Sequence, residues 1–221
     1  MMGSYQPWDD TWRQQIVYIT IPYQVEAPVE MPSDFSCPMF LGAIAQGVKG
    51  EMFWQAAAGA MVYVIGHEPG HPQVSMYVHW LNSYNPSLAK ELNYDGAGQA
   101  SKGELENAIW LLQAAVLLQP EEASAHYNLG LAFYELGLKL RKQGKMTEGD
   151  ECLKSAGQYL KNTLELDPNY GLAYYNLGFV YKSLGLTGES EKYLQKGIIL
   201  GLEKLPRQEN DKYPSSGKAG I

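Results

Sequence analysis

The chain has 221 residues, of which 45% are apolar and 19% charged, so it can bury a sizeable core without disulfides or metal ions. Its formal net charge is −7, whereas a general nucleic-acid binder needs a basic surface, so the charge argues against a nucleic-acid partner. The two cysteines, Cys37 and Cys152, are far apart in sequence and make neither a disulfide framework nor a four-ligand zinc site. We expect them to be buried thiols of a protein in a reducing compartment.

The amino-terminal sequence has no basic start followed by an apolar run, so no secretory signal peptide is visible. The longest apolar run, Ala56 to Ile65, is too short to cross a bilayer, so we expect no membrane span. These two observations predict a soluble, cytoplasmic protein.

Residues 1–38 differ from the rest, because five prolines within them prevent any long helix. The stretch from Gln15 to Val25 is rich in β-branched and aromatic residues and predicts one extended segment, whose second half Pro22 limits to a sheet edge. A strand needs a hydrogen-bonding partner. We therefore expect this amino-terminal arm either to pack along its own body or to add to another chain.

From about residue 39 the pattern is helical. Two segments, Met39–Val48 and Glu51–Ile65, are apolar on almost every side, which predicts two deeply buried helices. The string His67-Glu-Pro-Gly-His71 follows and matches the His-Glu-x-x-His string of zinc metalloproteases. That chemistry needs both imidazoles on one helical face, and Pro69 would break such a helix at a cost of about 3 kcal/mol. We expect a turn here, and a zinc hydrolase that uses His67, Glu68 and His71 is a remote alternative.

The carboxy-terminal half contains a repeat. The segments His126–Tyr134 and Tyr174–Lys182 share the core Tyr-Asn-Leu-Gly at an offset of 48 residues, and each follows a segment that ends in a proline. This pattern resembles the tetratricopeptide repeat, a unit of two helices, A and B, with a Leu-Gly pair and aromatics on helix A. The glycines of the two copies, Gly130 and Gly178, would let a neighbouring helix approach closely.

The repeat is longer than the family's unit of 34 residues, and the excess of 14 fits seven residues added to each helix. We expect helix B of this unit over about Thr147 to Glu165, in a hairpin that projects by roughly 10 Å. A basic cluster ends its helix A, where cations complement the helix dipole or could contact an acidic partner. The cluster consists of Lys139, Arg141, Lys142 and Lys145.

The preceding unit is interpreted as lengthened too. Met76–Leu81 matches the segment from His126 at an offset of 50, and its first helix is expected to be interrupted at Asn85-Pro86 and again at Gly96-Ala-Gly98.

These features predict an all-α solenoid of tetratricopeptide-type helical hairpins, with about seven or eight helices and an extended amino-terminal arm. The arm covers 1–38, the solenoid 39–205, and a polar, disordered tail 206–221. Within the solenoid we expect units over about 39–69, 70–120, 121–168 and 169–205.

The resemblance implies a protein–protein interaction module, a scaffold, adaptor or assembly factor, and not an enzyme. In that family, turns of helix A line a concave groove that receives a segment of a protein or peptide partner. The positions carried over from the family are Tyr127, Asn128, Leu131, Tyr134, Glu135, Tyr175, Asn176, Phe179, Lys182 and Ser183. No catalytic residue, metal or cofactor is expected.

A second reading is a structural subunit of a larger complex, or a homo-oligomer, held by its ends and its arm. Solenoids need polar caps, and the last predicted helix carries an apolar face with Leu194, Ile198 and Ile199 followed only by the polar tail.

Overall fold

The computed structural model describes residues 10–21, 26–31 and 35–202. The expected tail over 206–221 and the first nine residues of the arm lie outside this range. The described strands and α-helices are β1 (Ile16–Ile19), β2 (Cys37–Phe40), α1 (Leu41–Ala45), α2 (Glu51–His67), α3 (Val74–Tyr84), α4 (Leu88–Ser101), α5 (Leu105–Leu118), α6 (Ala123–Lys142), α7 (Met146–Leu166), α8 (Gly171–Ser183) and α9 (Thr187–Gly197). A 3-10 helix over Asp10–Gln15 precedes β1, and a π-helical turn over Ile198–Leu202 follows α9.

The amino-terminal arm folds back on its own chain. β1 pairs antiparallel with β2, with Ile16 opposite Phe40 and Ile19 opposite Cys37. β2 packs on α2, and Cys37 and Met39 are completely buried. The expected strand therefore ends at Ile19, before Pro22, and residues 22–25 of the expected segment lie outside the described residues.

The prediction of a deeply buried helix over Met39–Val48 is wrong in both its length and its burial, because the helix found there is short and none of its residues is buried. Met39 belongs to β2, and the helix that follows, α1, has only five residues. The chain then turns at Gly47 and Gly50, which have φ angles of 63° and 56°, a region that favours glycine. Sequence reasoning missed the strand because its partner lies about twenty residues upstream. By contrast, the predicted buried helix from Glu51 is confirmed as α2.

Helices α4 to α9 form three consecutive hairpins, α4/α5, α6/α7 and α8/α9. The first helix of each hairpin is an A helix and the second a B helix. The expected break at Asn85-Pro86 is confirmed, since α3 ends at Tyr84. The break expected at Gly96 is not present, because that glycine lies inside α4. The described residues thus hold nine α-helices, more than the seven or eight expected, because α1 and α3 are separate short helices.

The middle hairpin has the predicted extra length. The A helix α6 has 20 residues, whereas α8 has 13. The B helix α7 has 21 residues, whereas α5 has 14. Seven residues are thus added to each helix, and α7 covers the segment that was predicted from Thr147 to Glu165.

One glycine on each A helix allows its B helix to approach. A Cβ atom built on Gly178 would lie 2.6 Å from Leu194 Cγ, and one on Gly130 would lie 3.0 Å from Leu160 Cγ. The same relation holds at Gly96, whose Cβ would lie 2.6 Å from Leu112 Cγ. Gly96 precedes Gly130 by 34 residues, the ordinary length of the repeat. The match at an offset of 50 is therefore in the wrong register, and of the three hairpins in the described part of the chain only α6/α7 is lengthened.

The core has two clusters that meet at α5. Its Ala114 and Ala115 pack with the arm, α2 and α3, whereas its Ile109 and Leu112 pack with α6, α7 and α8. Both thiols are buried as expected, and burial raises the pKa of each to about 12, which leaves them protonated and unreactive.

Candidate functional site

The ten predicted groove residues lie in two rows along the neighbouring A helices α6 and α8. The first row is Tyr127, Leu131 and Tyr134, matched at the 48-residue offset by Tyr175, Phe179 and Lys182. The second row is Asn128 and Glu135, matched by Asn176 and Ser183. None of the ten is fully buried: Lys182 is exposed and the others are half-buried. The surface that they form, together with its continuation on α4, is called the A-helix face below.

Hydrogen bonds join the A helices at equivalent positions. Asn176 Nδ2 donates to the Tyr127 hydroxyl at 2.9 Å, which links α8 to α6. Asn128 Nδ2 donates to Asn93 Oδ1 at 2.9 Å, which links α6 to α4. Asn93 occupies on α4 the position that Tyr127 occupies on α6, because the two residues stand 34 apart. At both junctions, therefore, an asparagine donates to the equivalent position of the preceding A helix, and these bonds hold neighbouring repeats in register.

Helix α4 supplies a part of this face that the sequence analysis missed. Asn93 Nδ2 donates to Ser124 Oγ at 3.1 Å, and Ser124 Oγ lies 2.6 Å from Glu122 Oε1. The side chain of Tyr94 is 81% exposed. An open pocket of about 360 Å³ lies here, lined by Lys90, Asn93, Tyr94, Ala97, Glu122, Ser124 and Asn128. The 34-residue spacing between Gly96 and Gly130 is the signal that would have found it.

Burial controls the ionisation of two groups on this face. Burial, together with the nearby Tyr170, raises the pKa of Tyr127 to about 12, although the hydrogen bond from Asn176 opposes the shift. The Tyr127 ring lies 4.9 Å from that of Tyr170. The Tyr127 hydroxyl therefore keeps its proton at neutral pH. Burial also raises the pKa of Glu135, because it disfavours the charged form of the carboxylate. A hydrogen-bond donor or a cation from a bound partner would stabilise that charged form.

The α8 end of the face is aromatic with a cation at its edge. The rings of Tyr175 and Phe179 meet edge to face at 4.9 Å, and Lys182 Nζ lies 5.9 Å from the Phe179 ring. Ser183 closes the row, and its carbonyl accepts a hydrogen bond from Arg141 of the long hairpin. Ser183 thus lies where α8 meets α6.

The His-Glu-x-x-His string does not form the arrangement of a zinc protease. α2 ends at His67, so the predicted turn is confirmed and the two imidazoles do not share a helical face. His67 Nδ1 bonds the Tyr63 carbonyl oxygen at 2.8 Å, and burial lowers the pKa of His67 to about 4. His71 Nε2 lies 3.1 Å from the Tyr18 hydroxyl, and its Nδ1 accepts from the Gln73 backbone N–H. In the described ranges, no three His, Cys, Asp or Glu side chains are grouped as a metal site requires.

None of the described helices combines the length and the apolarity that crossing a bilayer requires.

Two family models match the chain. A model described as TPR repeat matches residues 100–137, and one described as Tetratricopeptide repeat matches residues 159–192. Together with the three helical hairpins, these matches define the class as a helical-repeat solenoid. The chain therefore contains tetratricopeptide repeats. Repeats of this family generally serve protein–protein interaction and are generally not catalytic.

Solved structures are similar at low identity. IFIT1, in a structure of a monomeric mutant with Gppp-AAAA, is 18% identical, with a TM-score of 0.49, and the match covers 64% of this chain. It covers 33% of the IFIT1 chain, so this chain spans about a third of that protein's length. A crystal structure of MamA is 19% identical, with a TM-score of 0.43, and the match covers 74% of this chain and 94% of MamA. No curated protein sequence matches the chain.

Proposed function

We propose that the A-helix face is the concave groove of the solenoid and binds an extended segment of a partner protein. The chain then acts as a scaffold, adaptor or assembly factor, by binding and without catalysis. The observation that carries this proposal is the repeated row of half-exposed polar and aromatic side chains along α4, α6 and α8. Stacked repeats build continuous surfaces of this kind, which their proteins use for partners.

The two rows offer complementary contacts. Asn128 and Asn176 each use one amide hydrogen to hold the neighbouring A helix. An asparagine amide has two donor hydrogens and an acceptor oxygen, so each could also bond the backbone of a bound segment. Tyr94 and Phe179 would pack against side chains of that segment, because aromatic residues supply much of the binding energy of protein interfaces.

Quantitative co-purification from the native host tests this proposal. The test variant is Tyr94→Ala/Phe179→Ala/Lys182→Ala, which removes contact area without breaking the hydrogen bonds between A helices. The matched control is Lys154→Ala/Gln158→Ala, two exposed positions on the B helix α7. We expect a partner that the wild type and the control retain to be depleted at least about tenfold by the test variant. Circular dichroism must first show that all three proteins are equally helical.

A structural subunit held by its ends is the second candidate. Its support is the π-helical turn after α9, where the side chains of Ile198 and Ile199 are 45% and 82% exposed. If the test variant retains every partner and Ile198→Ser/Ile199→Ser loses them, the groove proposal is wrong and the second candidate is favoured.

A further inference from the structure

A second pocket lies on the B-helix side of the solenoid, between α7, α8 and α9. It has a volume of about 360 Å³ and is open to solvent. It is lined by Lys161, Leu164, Glu165, Tyr174, Lys192, Tyr193 and Lys196, and it is called the lysine pocket here. None of the ten predicted groove residues lines it.

Aromatic rings lie beside the three lysines. Lys196 Nζ lies 4.2 Å from the centre of the Tyr174 ring, and Lys192 Nζ lies 6.0 Å from that of Tyr193. Lys161 Nζ lies 5.7 Å from the centre of the Tyr181 ring. The Tyr193 ring contacts both other rings, with centroid distances of 6.1 Å to Tyr174 and 5.3 Å to Tyr181. Attraction between the ammonium groups and the aromatic rings favours lysine conformations in which the three charges stay beside the lysine pocket.

The charge of the lysine pocket is opposite to that of the chain. Three lysines and one glutamate line it, in a protein whose formal net charge is −7. Glu189 and Glu191 are also on α9, but they are not among the lining residues. Such a local reversal of sign attracts an anionic partner and repels basic ones.

The lysine pocket also has apolar surface. Leu164 and the rings of Tyr174 and Tyr193 contribute it. A small inorganic anion could pair with the lysines but would leave these groups in contact with water. A peptide could satisfy both features, because its carboxylates would pair with the lysines and an apolar side chain would cover the rings.

We propose that the lysine pocket binds an acidic segment of a partner protein, with at least two carboxylates on Lys161, Lys192 and Lys196 and one apolar side chain against Tyr174, Tyr193 and Leu164. This site is separate from the A-helix face, so either site can fail without the other. A solenoid with both could hold two segments at once, one on its A helices and one on its B helices.

The test uses a fluorescein-labelled peptide of sequence Glu-Asp-Phe-Asp-Glu and a control peptide, Gln-Asn-Phe-Asn-Gln. Fluorescence anisotropy measures the affinity of the full chain for each. The test variant is Lys161→Gln/Lys192→Gln/Lys196→Gln. The control variant, Lys49→Gln/Lys102→Gln/Lys154→Gln, removes the same charge at exposed positions outside both the lysine pocket and the basic cluster.

We expect saturable binding of the acidic peptide, about tenfold or more weaker for the test variant than for the wild type or the control variant. Binding should weaken with added salt, because the pairs are exposed to solvent. The variant Tyr193→Ala should also weaken it, whereas the groove variant Tyr94→Ala/Phe179→Ala/Lys182→Ala should not. The neutral peptide should bind far more weakly.

Three results would overturn the proposal. Equal losses in the two lysine variants would mean that the peptide responds only to the overall charge. Complete displacement of the peptide by millimolar inorganic phosphate, with no effect of Tyr193→Ala, would mean a small-anion site. A chain that self-associates through these lysines, with dimers lost in the test variant only and no peptide binding, would identify a second copy as the occupant.

Discussion

At the scale of single residues, the glycine on each A helix sets the distance between the two helices of a hairpin. A Cβ atom added to Gly178 would lie 2.6 Å from Leu194 Cγ and 3.1 Å from the backbone nitrogen of Leu194. Neither atom is the free end of a side chain, so the helices would have to separate. Gly98, on α4, offers a comparison, because a Cβ there would meet no atom within 4 Å.

We predict that Gly178→Ala lowers the free energy of unfolding by roughly 1–3 kcal/mol, as overpacking does. Gly98→Ala should instead leave it unchanged or raise it by up to about 1 kcal/mol, because alanine favours a helix more than glycine does. Urea denaturation followed by circular dichroism measures both. Equal effects at the two positions would contradict the proposed role of the close approach.

The sequence predicted the residues of this packing where the repeat is well preserved. Leu177-Gly178 and Leu129-Gly130 were recognised, and both glycines lie against their B helices. Gly96 was missed because Asp95 precedes it in place of the leucine, and because a second glycine follows two residues later. The low helix propensity of two nearby glycines predicted a break at Gly96, whereas in the structure Gly96 lies inside α4 and packs closely against Leu112.

At the scale of the elements, residues of the basic cluster at the end of α6 connect the long α6/α7 hairpin to neighbouring helices. Arg141 Nε donates to Asp150 Oδ1 on α7 at 2.7 Å, and Arg141 Nη1 donates to the carbonyl oxygen of Ser183, the last residue of α8. Lys139 Nζ also lies 3.5 Å from Glu106 Oε1 on α5. Two members of the basic cluster therefore join elements of this chain.

We predict that Arg141→Ala loosens this junction by roughly 1–2 kcal/mol, the range for hydrogen bonds to charged groups near a surface. Hydrogen exchange should quicken at the α6/α7 turn and at the end of α8, and remain unchanged in α2. Lys142→Ala, an exposed member of the same cluster, is the control and should change neither. Unchanged exchange in Arg141→Ala would show that packing of α7 alone holds the hairpin.

The elements differ in how well the sequence predicted them. The seven extra residues in α6 and in α7 followed from a simple offset between two good copies of a motif. β2 did not, because Cys37–Phe40 is apolar like the helical run that follows it and forms a strand only through its distant partner β1. Local sequence carries no sign of that pairing.

At the scale of the whole molecule, α5 couples the two core clusters. Its sides contribute to both, so unfolding of one cluster should expose the other. The five tryptophans, Trp8, Trp12, Trp54, Trp80 and Trp110, all lie in the first half of the chain. Among the side chains that the structure describes, Trp54 and Trp80 lie in the first cluster and Trp110 packs against it. The fluorescence of these three reports on that cluster, whereas circular dichroism at 222 nm reports on every helix.

We predict that urea unfolding curves from the two signals coincide, as in a two-state transition. Leu112 is completely buried in the second cluster. Leu112→Ala should lower the free energy of unfolding obtained from both signals by about 2–5 kcal/mol. A fluorescence transition that does not move with this variant would show that the amino-terminal part unfolds independently of the repeats.

Site-specific photo-crosslinking is the most direct test of the proposal that the A-helix face binds a partner segment. A photoreactive phenylalanine analogue is introduced at Phe179 or Tyr94 on the A-helix face, and at Lys154 or Gln158 on α7 as controls. We expect partners retained by the wild type to crosslink at Phe179 and Tyr94 and not to crosslink at Lys154 or Gln158. Crosslinks at the α7 positions, with none at Phe179 or Tyr94, would contradict it.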